Sequence, residues 1–185
     1  MELINISNEY KNTLRDLIWG GIILYPTDTI WGIGCDATNE EAIKQIFNIK
    51  RREESKALIS LVSSKNQLKR IVTEIPKIDI TSSPTTVVYP KVNGISKLAI
   101  SSNGSAAIRI TKDSFCKKLI NNFRKPIIST SANISGEDYP KTFSEISNDI
   151  LTKVDYIVKL KQNIKMIRPS KIILIIANGK IKNIR

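Results

Sequence analysis

Residues 22–36 read IILYPTDTIWGIGCD. Ile22–Tyr25 has the look of a short buried strand, and Pro26, which has no N–H to offer a ladder, stops it. Thr27 and Thr29 follow at once. Gly32 and Gly34 come next, and a residue without a Cβ lets the backbone approach a ligand closely. A plain turn with capping threonines accounts equally well for an isolated P-T-D-T. The glycines do not spell a phosphate loop, and G-x-x-x-x-G-K-[ST] occurs nowhere in the chain.

Working outward, helical and strand patterns alternate. Asn8 is placed to cap a helix whose Tyr10, Leu14, Leu17 and Ile18 share one face and which ends at Gly20-Gly21. Thr38 and Glu41 have capping-box spacing ahead of a helix with Ala42, Ile43, Ile46 and Phe47 inside. Ala57–Val62 reads as a strand, followed by a short helix with Leu68 and Ile71. Residues 75–83 are irregular. Thr85–Tyr89 and Ala106–Ile110 read as strands, Phe115, Leu119, Ile120 and Phe123 mark a helix, and Lys125–Ser129 is another strand. Thr142 and Glu145 suggest a second capping box, for a helix ending near Leu151. Tyr156–Leu160 and Lys171–Ala177 read as strands. Asn178-Gly179 signals a hairpin returning as Lys180–Ile184. The expected architecture is a single α/β domain over 1–185, a twisted mixed parallel and antiparallel sheet with flanking helices.

Composition narrows the chemistry. The formal net charge is +12, which favours anionic partners such as nucleotides, RNA or phosphates, although scattered lysines also suit a plain solvated surface. Histidine is absent, which removes Ser-His and Cys-His nucleophile pairs and the commonest metal ligand. No Cys/Asp/Glu cluster has metal spacing, so no metal site is expected. Cys35 and Cys116 are expected as reduced, partly buried thiols. No apolar run approaches the ~20 residues of a membrane span, and the N-terminus does not resemble a signal peptide. The default expectation is a cytoplasmic protein without membrane contact.

Two further polar stretches lie at strand ends, the usual ligand crevice of such sheets. Lys50, Arg51 and Arg52 end a helix. The helix dipole favours cations there, yet the same side chains could clamp a polyphosphate. Ser129–Gly136, STSANISG, follows a strand. Its hydroxyls and amide could bind ribose, phosphate or an amino-acid carboxylate, or merely cap the chain; Thr130 and Ser135 stay open between the two. Arg109 lies in the apolar run AAIRI, where a charge is costly unless it is paired or faces a cleft; left unpaired it is an anion site. Neither Lys50 nor Arg52 reads as a core residue.

Together these residues resemble the YrdC-type threonylcarbamoyl-AMP synthases. YPTDTIWGIGCDA matches that family's Y-P-T-[DE]-T-x-[WY]-G-[IL]-G, Lys50 and Arg52 its Lys-x-Arg, and Ser131 and Asn133 its Ser-x-Asn. AAIRI resembles the strand carrying its arginine, Pro169-Ser170-Lys171 its Pro-Ser-Thr, and Arg185 the arginine after the hairpin. Glu53 stands where proline is frequent, Leu61 where a histidine or leucine is usual, Ser83-Pro84-Thr85-Thr86 departs from Pro-Gly-Pro-x-Thr, and Thr111 replaces a proline. The resemblance implies a YrdC-like fold with a basic concave cleft. It implies synthesis of threonylcarbamoyl-AMP and pyrophosphate from L-threonine, bicarbonate or CO2, and ATP, for threonylcarbamoyladenosine in tRNA. By resemblance Lys50 and Arg52 are catalytic, and Lys50, Arg52, Lys56, Ser131, Asn133 and Arg185 hold ATP. Thr29, Arg109, Ser129 and Ser170 hold threonine. Mg2+ would arrive with ATP, and a separate tRNA-modifying transfer complex would accept the adenylate. The rival readings are a double-stranded RNA or tRNA binder of the same fold without synthase activity, and a carbamoyl-phosphate-dependent enzyme like the related domain of hydrogenase maturation proteins.

Overall fold

The computed structural model describes residues 6–53, 58–176 and 180–185. Helix α1 (Ile6–Ile18) precedes strands β1 (Ile23–Tyr25) and β2 (Gly32–Gly34), then helix α2 (Glu40–Lys50) and strand β3 (Ile59–Val62). The short helix α3 (Lys65–Leu68) leads to β4 (Thr85–Tyr89) and β5 (Ala106–Ile110), followed by α4 (Ser114–Phe123) and β6 (Ile127–Ser131). The chain closes with α5 (Asn148–Leu151), β7 (Tyr156–Ile157), β8 (Lys171–Ile175) and β9 (Ile181–Asn183).

The strands form one sheet in the order β7-β1-β2-β6-β3-β5-β4-β8-β9. Pairs β1–β7, β3–β5 and β4–β8 are parallel and the remaining five antiparallel, so the sheet is mixed as expected. Both faces are covered. Alternation along β1 sends Ile22 and Leu24 to the core under α2, where Ile43, Ile46 and Phe47 lie, and Ile23 and Tyr25 to the core with Leu17 of α1 and Phe115, Leu119 and Ile120 of α4. A third core gathers Val87, Tyr89 and Ile108 with Leu68, Ile71 and Val72.

Several local expectations are corrected. Asn8 lies inside α1, and Ile18 is exposed with Trp19 beyond it. The cap of α2 is Asn39, whose side chain accepts from the Ala42 N–H at 3.1 Å; Thr38 instead donates its hydroxyl to Asp36 at 2.7 Å. Asp36 is the stronger acceptor for that hydroxyl, so Thr38 is drawn out of the helix start. Residues 142–151 form a 3-10 turn (Phe143–Glu145) and the separate α5. There Glu145 reaches back to the Lys141 N–H and the Thr142 hydroxyl, while Thr142 makes no side-chain cap. β7 is two residues long, not five. β6 runs on through Thr130 and Ser131, so the first three residues of STSANISG are strand, not loop. β8 and β9 pair as a hairpin, while Asn178-Gly179 and Lys56 lie outside the described residues. Cys35 and Cys116 are free and fully buried.

Gly34 serves the sheet rather than a ligand. A Cβ built there would sit 2.0 Å from the Ile128 carbonyl oxygen. That backbone cannot retreat, because the Ile128 N–H is bonded to the Cys35 carbonyl at 2.8 Å. Gly32 is less crowded and is the one of the pair that keeps a ligand role open: its Cβ would lie 3.3 Å from both Ser129 Oγ and the Thr130 carbonyl oxygen.

Lys50, the last residue of α2, is 1% exposed and is a core residue, against expectation. Its ammonium donates to the carbonyls of Ser131 (2.5 Å) and Asn133 (2.6 Å), and its own carbonyl accepts the Ser135 N–H at 2.8 Å. Burial first, and then Arg52, lower its pKa to about 7, against a weaker upward pull from Glu137.

Two predictions follow from these contacts. Gly34→Ala should lose about 3 kcal/mol, read as a lower urea midpoint with an unchanged slope; a wild-type midpoint contradicts the clash. Below about pH 7 the folded protein carries a buried charge at Lys50, whereas the unfolded lysine keeps its proton up to its ordinary pKa near 10.5. Between those values the unfolded state binds more protons, so this residue's contribution to stability rises with pH. The stability of wild type relative to Lys50→Met should therefore climb from pH 7 to pH 10, and a flat difference refutes the burial effect.

Candidate active site

The chain beyond α2 shows how three successive cations are given three directions. Arg51 adopts a left-handed conformation (φ 49°), and its N–H and that of Arg52 turn back to the last carbonyls of the helix. The turn buries Lys50, sends Arg51 outward to Asp149 at 2.8 Å, and delivers Arg52 to a cavity of about 340 Å³. Burial lowers the Arg52 pKa, which marks a guanidinium partly stripped of water.

The cavity is built by strand ends from distant parts of the sequence. The β1–β2 loop supplies Thr27 and Thr29, β2 supplies Gly32, and β6 supplies Ser129, Thr130 and Ser131. Thr86 comes from β4 and Arg109 from β5; Pro169 and Ser170 precede β8, and Arg185 follows β9. The register explains the convergence: Gly32 pairs with Ser131, Ile59 with Ser129, and Thr86 with Arg109. Three arginines line the cavity and, among the described residues, no aspartate or glutamate does. It is a basic concavity with a hydroxyl-rich wall, suited to an anionic ligand that also carries hydrogen-bonding groups.

Internal hydrogen bonds fix the hydroxyls. Thr27 Oγ1 lies 2.9 Å from Thr29 Oγ1 and accepts from the Thr29 and Ile30 N–H groups. Ser170 Oγ is 2.8 Å from Thr86 Oγ1, and Arg185 donates through Nε (3.3 Å) and Nη2 (3.2 Å) to the Ser170 carbonyl. Arg109 is 4% exposed and meets both conditions the sequence left open: it lines the cavity and is paired, its Nη2 lying 3.4 Å from Asp28 Oδ1. Its Nε has no partner.

Of the residues singled out from sequence, Thr29, Arg52, Arg109, Ser129, Ser131, Ser170 and Arg185 line this one cavity. Lys50 and Asn133 stand behind its wall. The Asn133 amide donates to the carbonyls of Ile134 (2.9 Å) and Glu137 (2.7 Å), shaping the turn, and its Oδ1 is buried without a partner. Thr130, left open by the sequence, lines the cavity; Ser135 is held by its backbone. Sequence reasoning missed Tyr139, whose ring reaches the mouth while its hydroxyl donates to the Ile167 carbonyl at 3.1 Å. A lone tyrosine in an irregular segment offers no periodicity to betray it.

Known proteins share this architecture. A Methanocaldococcus jannaschii protein named "Putative threonylcarbamoyl-AMP synthase" is 35% identical over 176 residues, covering 92% of this chain and 82% of that one. A Pseudoalteromonas translucida protein named threonylcarbamoyl-AMP synthase is 33% identical over 150 residues, covering 77% and 80%. The crystal structure of P. abyssi Sua5 complexed with L-threonine superposes with a TM-score of 0.82 at 25% identity, over 100% of this chain and 55% of the other. The present chain thus spans about half the length of that protein. The Sua5/YciO/YrdC family model, described as telomere recombination, matches residues 16–185, and the chain belongs to that family.

Proposed function

We propose that this protein is an L-threonylcarbamoyladenylate synthase, a nucleotidyltransferase that joins L-threonine, bicarbonate or CO2, and ATP with release of pyrophosphate. One observation carries the reading. A single cavity combines Arg52 and Arg185 with a separate, buried Arg109 and a wall of hydroxyls, which provides for two anionic groups in one ligand set. Relatives named for this activity align over most of the chain, and the threonine-complexed Sua5 matches all of it, which favours synthase over a bare RNA-binding role.

In this reading Arg109 pairs the threonine carboxylate, with Thr29, Ser129 and Ser170 around the amino acid. Arg52, Arg185, Ser131 and the turn containing Asn133 face the nucleotide, and Lys56, outside the described residues, keeps its proposed role on ATP by resemblance alone. The threonine amine adds to CO2, giving a carbamate and releasing a proton. A carbamate oxygen then attacks the α-phosphorus, and the bond to the bridging oxygen of pyrophosphate breaks. Such a displacement needs positioning and charge stabilisation rather than a histidine base. Arg52 offers a fork to the phosphate oxygens, and its partial burial strengthens that contact. Lys50 acts at one remove, holding the carbonyls of Ser131 and Asn133 so that the β6 end faces the nucleotide. Magnesium comes in with ATP and supplies charge neutralisation on its phosphates. The product would pass to a tRNA-modifying transfer complex in the cytoplasm.

Purified protein given ATP, bicarbonate and threonine should form threonylcarbamoyl-adenylate and pyrophosphate, each dependent on threonine. Arg52→Ala should lower kcat/KM for ATP by at least about 100-fold while its urea midpoint stays near wild type. A folded wild type that forms neither product, beside an active control enzyme, overturns the assignment; full activity in the variant overturns the role of Arg52.

A further inference from the structure

Asp28 lies between Thr27 and Thr29, both of which line the cavity, yet it is not itself part of that lining. Its carboxylate turns instead to the end of β5. Oδ1 sits 3.4 Å from Arg109 Nη2 and accepts from the Thr111 hydroxyl at 3.4 Å, while Oδ2 accepts from the Lys112 N–H at 2.9 Å. The side chains of both ion-pair partners are nearly inaccessible, 4% exposed for Arg109 and 7% for Asp28. A guanidinium so deeply placed needs a fixed counter-charge, or it moves toward water. Asp28 also supplies contacts that Thr27 cannot. Thr27 closes the β1–β2 loop on itself, through Thr29 and Ile30, whereas Asp28 ties that loop across to β5.

We propose that Asp28 is a positioning residue for the amino-acid subsite, holding Arg109 so that its remaining donors face a ligand carboxylate. The proposal rests on the reading that Arg109 receives the carboxylate of threonine. Arg109 has five N–H donors, and the Asp28 contact uses one edge, through Nη2. The rest stay available to a second carboxylate in the cavity that Arg109 lines. The same carboxylate fixes the loop that bears Thr29, so one side chain ties together two cavity-lining residues, Thr29 and Arg109.

The test is a KM-against-kcat comparison. Asp28→Asn keeps size and one acceptor but removes the charge. It should raise KM for threonine at least tenfold, change KM for ATP less than twofold, and lower kcat at saturating threonine less than threefold. Asp28→Glu should restore KM for threonine to within threefold of wild type. In an Arg109→Lys background the Asp28→Asn effect on KM for threonine should shrink to less than threefold, because Asp28 acts through Arg109. Should Asp28→Asn fail to fold, Asp28→Ser carries the test, with the same rise of at least tenfold in KM for threonine expected. An active Asp28→Asn with wild-type KM for threonine, or an equal effect with and without Arg109, overturns the proposal and leaves the synthase reading standing. A wild type that neither binds threonine in calorimetry nor releases pyrophosphate overturns both.

Discussion

The site depends on a buried lysine nitrogen held by main-chain oxygens. Lys50 closes α2, and its Nζ takes the carbonyls of Ser131 and Asn133 while its carbonyl takes the Ser135 N–H. A helix on one face of the sheet is thereby locked to the end of a strand 81 residues later in the chain. The Ser131 carbonyl also accepts the Asn133 N–H at 2.9 Å, but the Asn133 carbonyl is met by Lys50, and leaving such a group unpaired in the interior costs about 1–3 kcal/mol. The lysine in turn could not be buried without these carbonyls. Each half makes the other tolerable, and the outcome is a fixed wall whose hydroxyls face the cavity. The lowered pKa is the residue's side of that exchange.

This arrangement also explains why consecutive cations divide their work. Side chains at successive helical positions point about 100° apart, but a regular helix would have kept Arg52 on the outside. The left-handed Arg51 breaks the series. A residue with a Cβ pays to adopt that conformation, and the Arg51–Asp149 ion pair lies on the surface, where such pairs contribute little. The compensation comes from the neighbours: Lys50 is satisfied inside and Arg52 reaches the cavity. Charge at a helix C-terminus is therefore an incomplete account of Lys50-Arg51-Arg52.

Much of the fold was legible because it rests on short-range signals. The bounds of β4 and β5 were legible to the residue, and so was the apolar face of α2. Where the reading failed, a longer-range partner had intervened. Thr38 was drawn from its cap by Asp36, and β6 continued through Thr130 and Ser131 because β2 was there to pair with them. Lys50 looked like a surface cation since its acceptors are main-chain carbonyls, which carry no mark in a sequence. The partner of Arg109 was hidden for a similar reason: Asp28 is 81 positions away along the chain and meets it only through the folded sheet. Tyr139 reaches the mouth from a segment with no pattern at all.

The resulting cavity has an uneven distribution of charge. Its wall carries three arginines and no carboxylate among the described residues, yet the most buried of the three has its counter-ion just behind it. Arg109 is close to neutral as a pair, so it can wait in a dry site without a ligand. Arg52 and Arg185 lie nearer water, where hydration carries part of the cost of their charge. On the reading proposed above, a small carboxylate would meet a preorganised, charge-compensated anchor, and the more highly charged phosphates would meet arginines nearer the solvent. On the same reading, the depth of Arg109 and the greater exposure of Arg52 and Arg185 would let one basic cavity separate a monoanion from a polyanion by position.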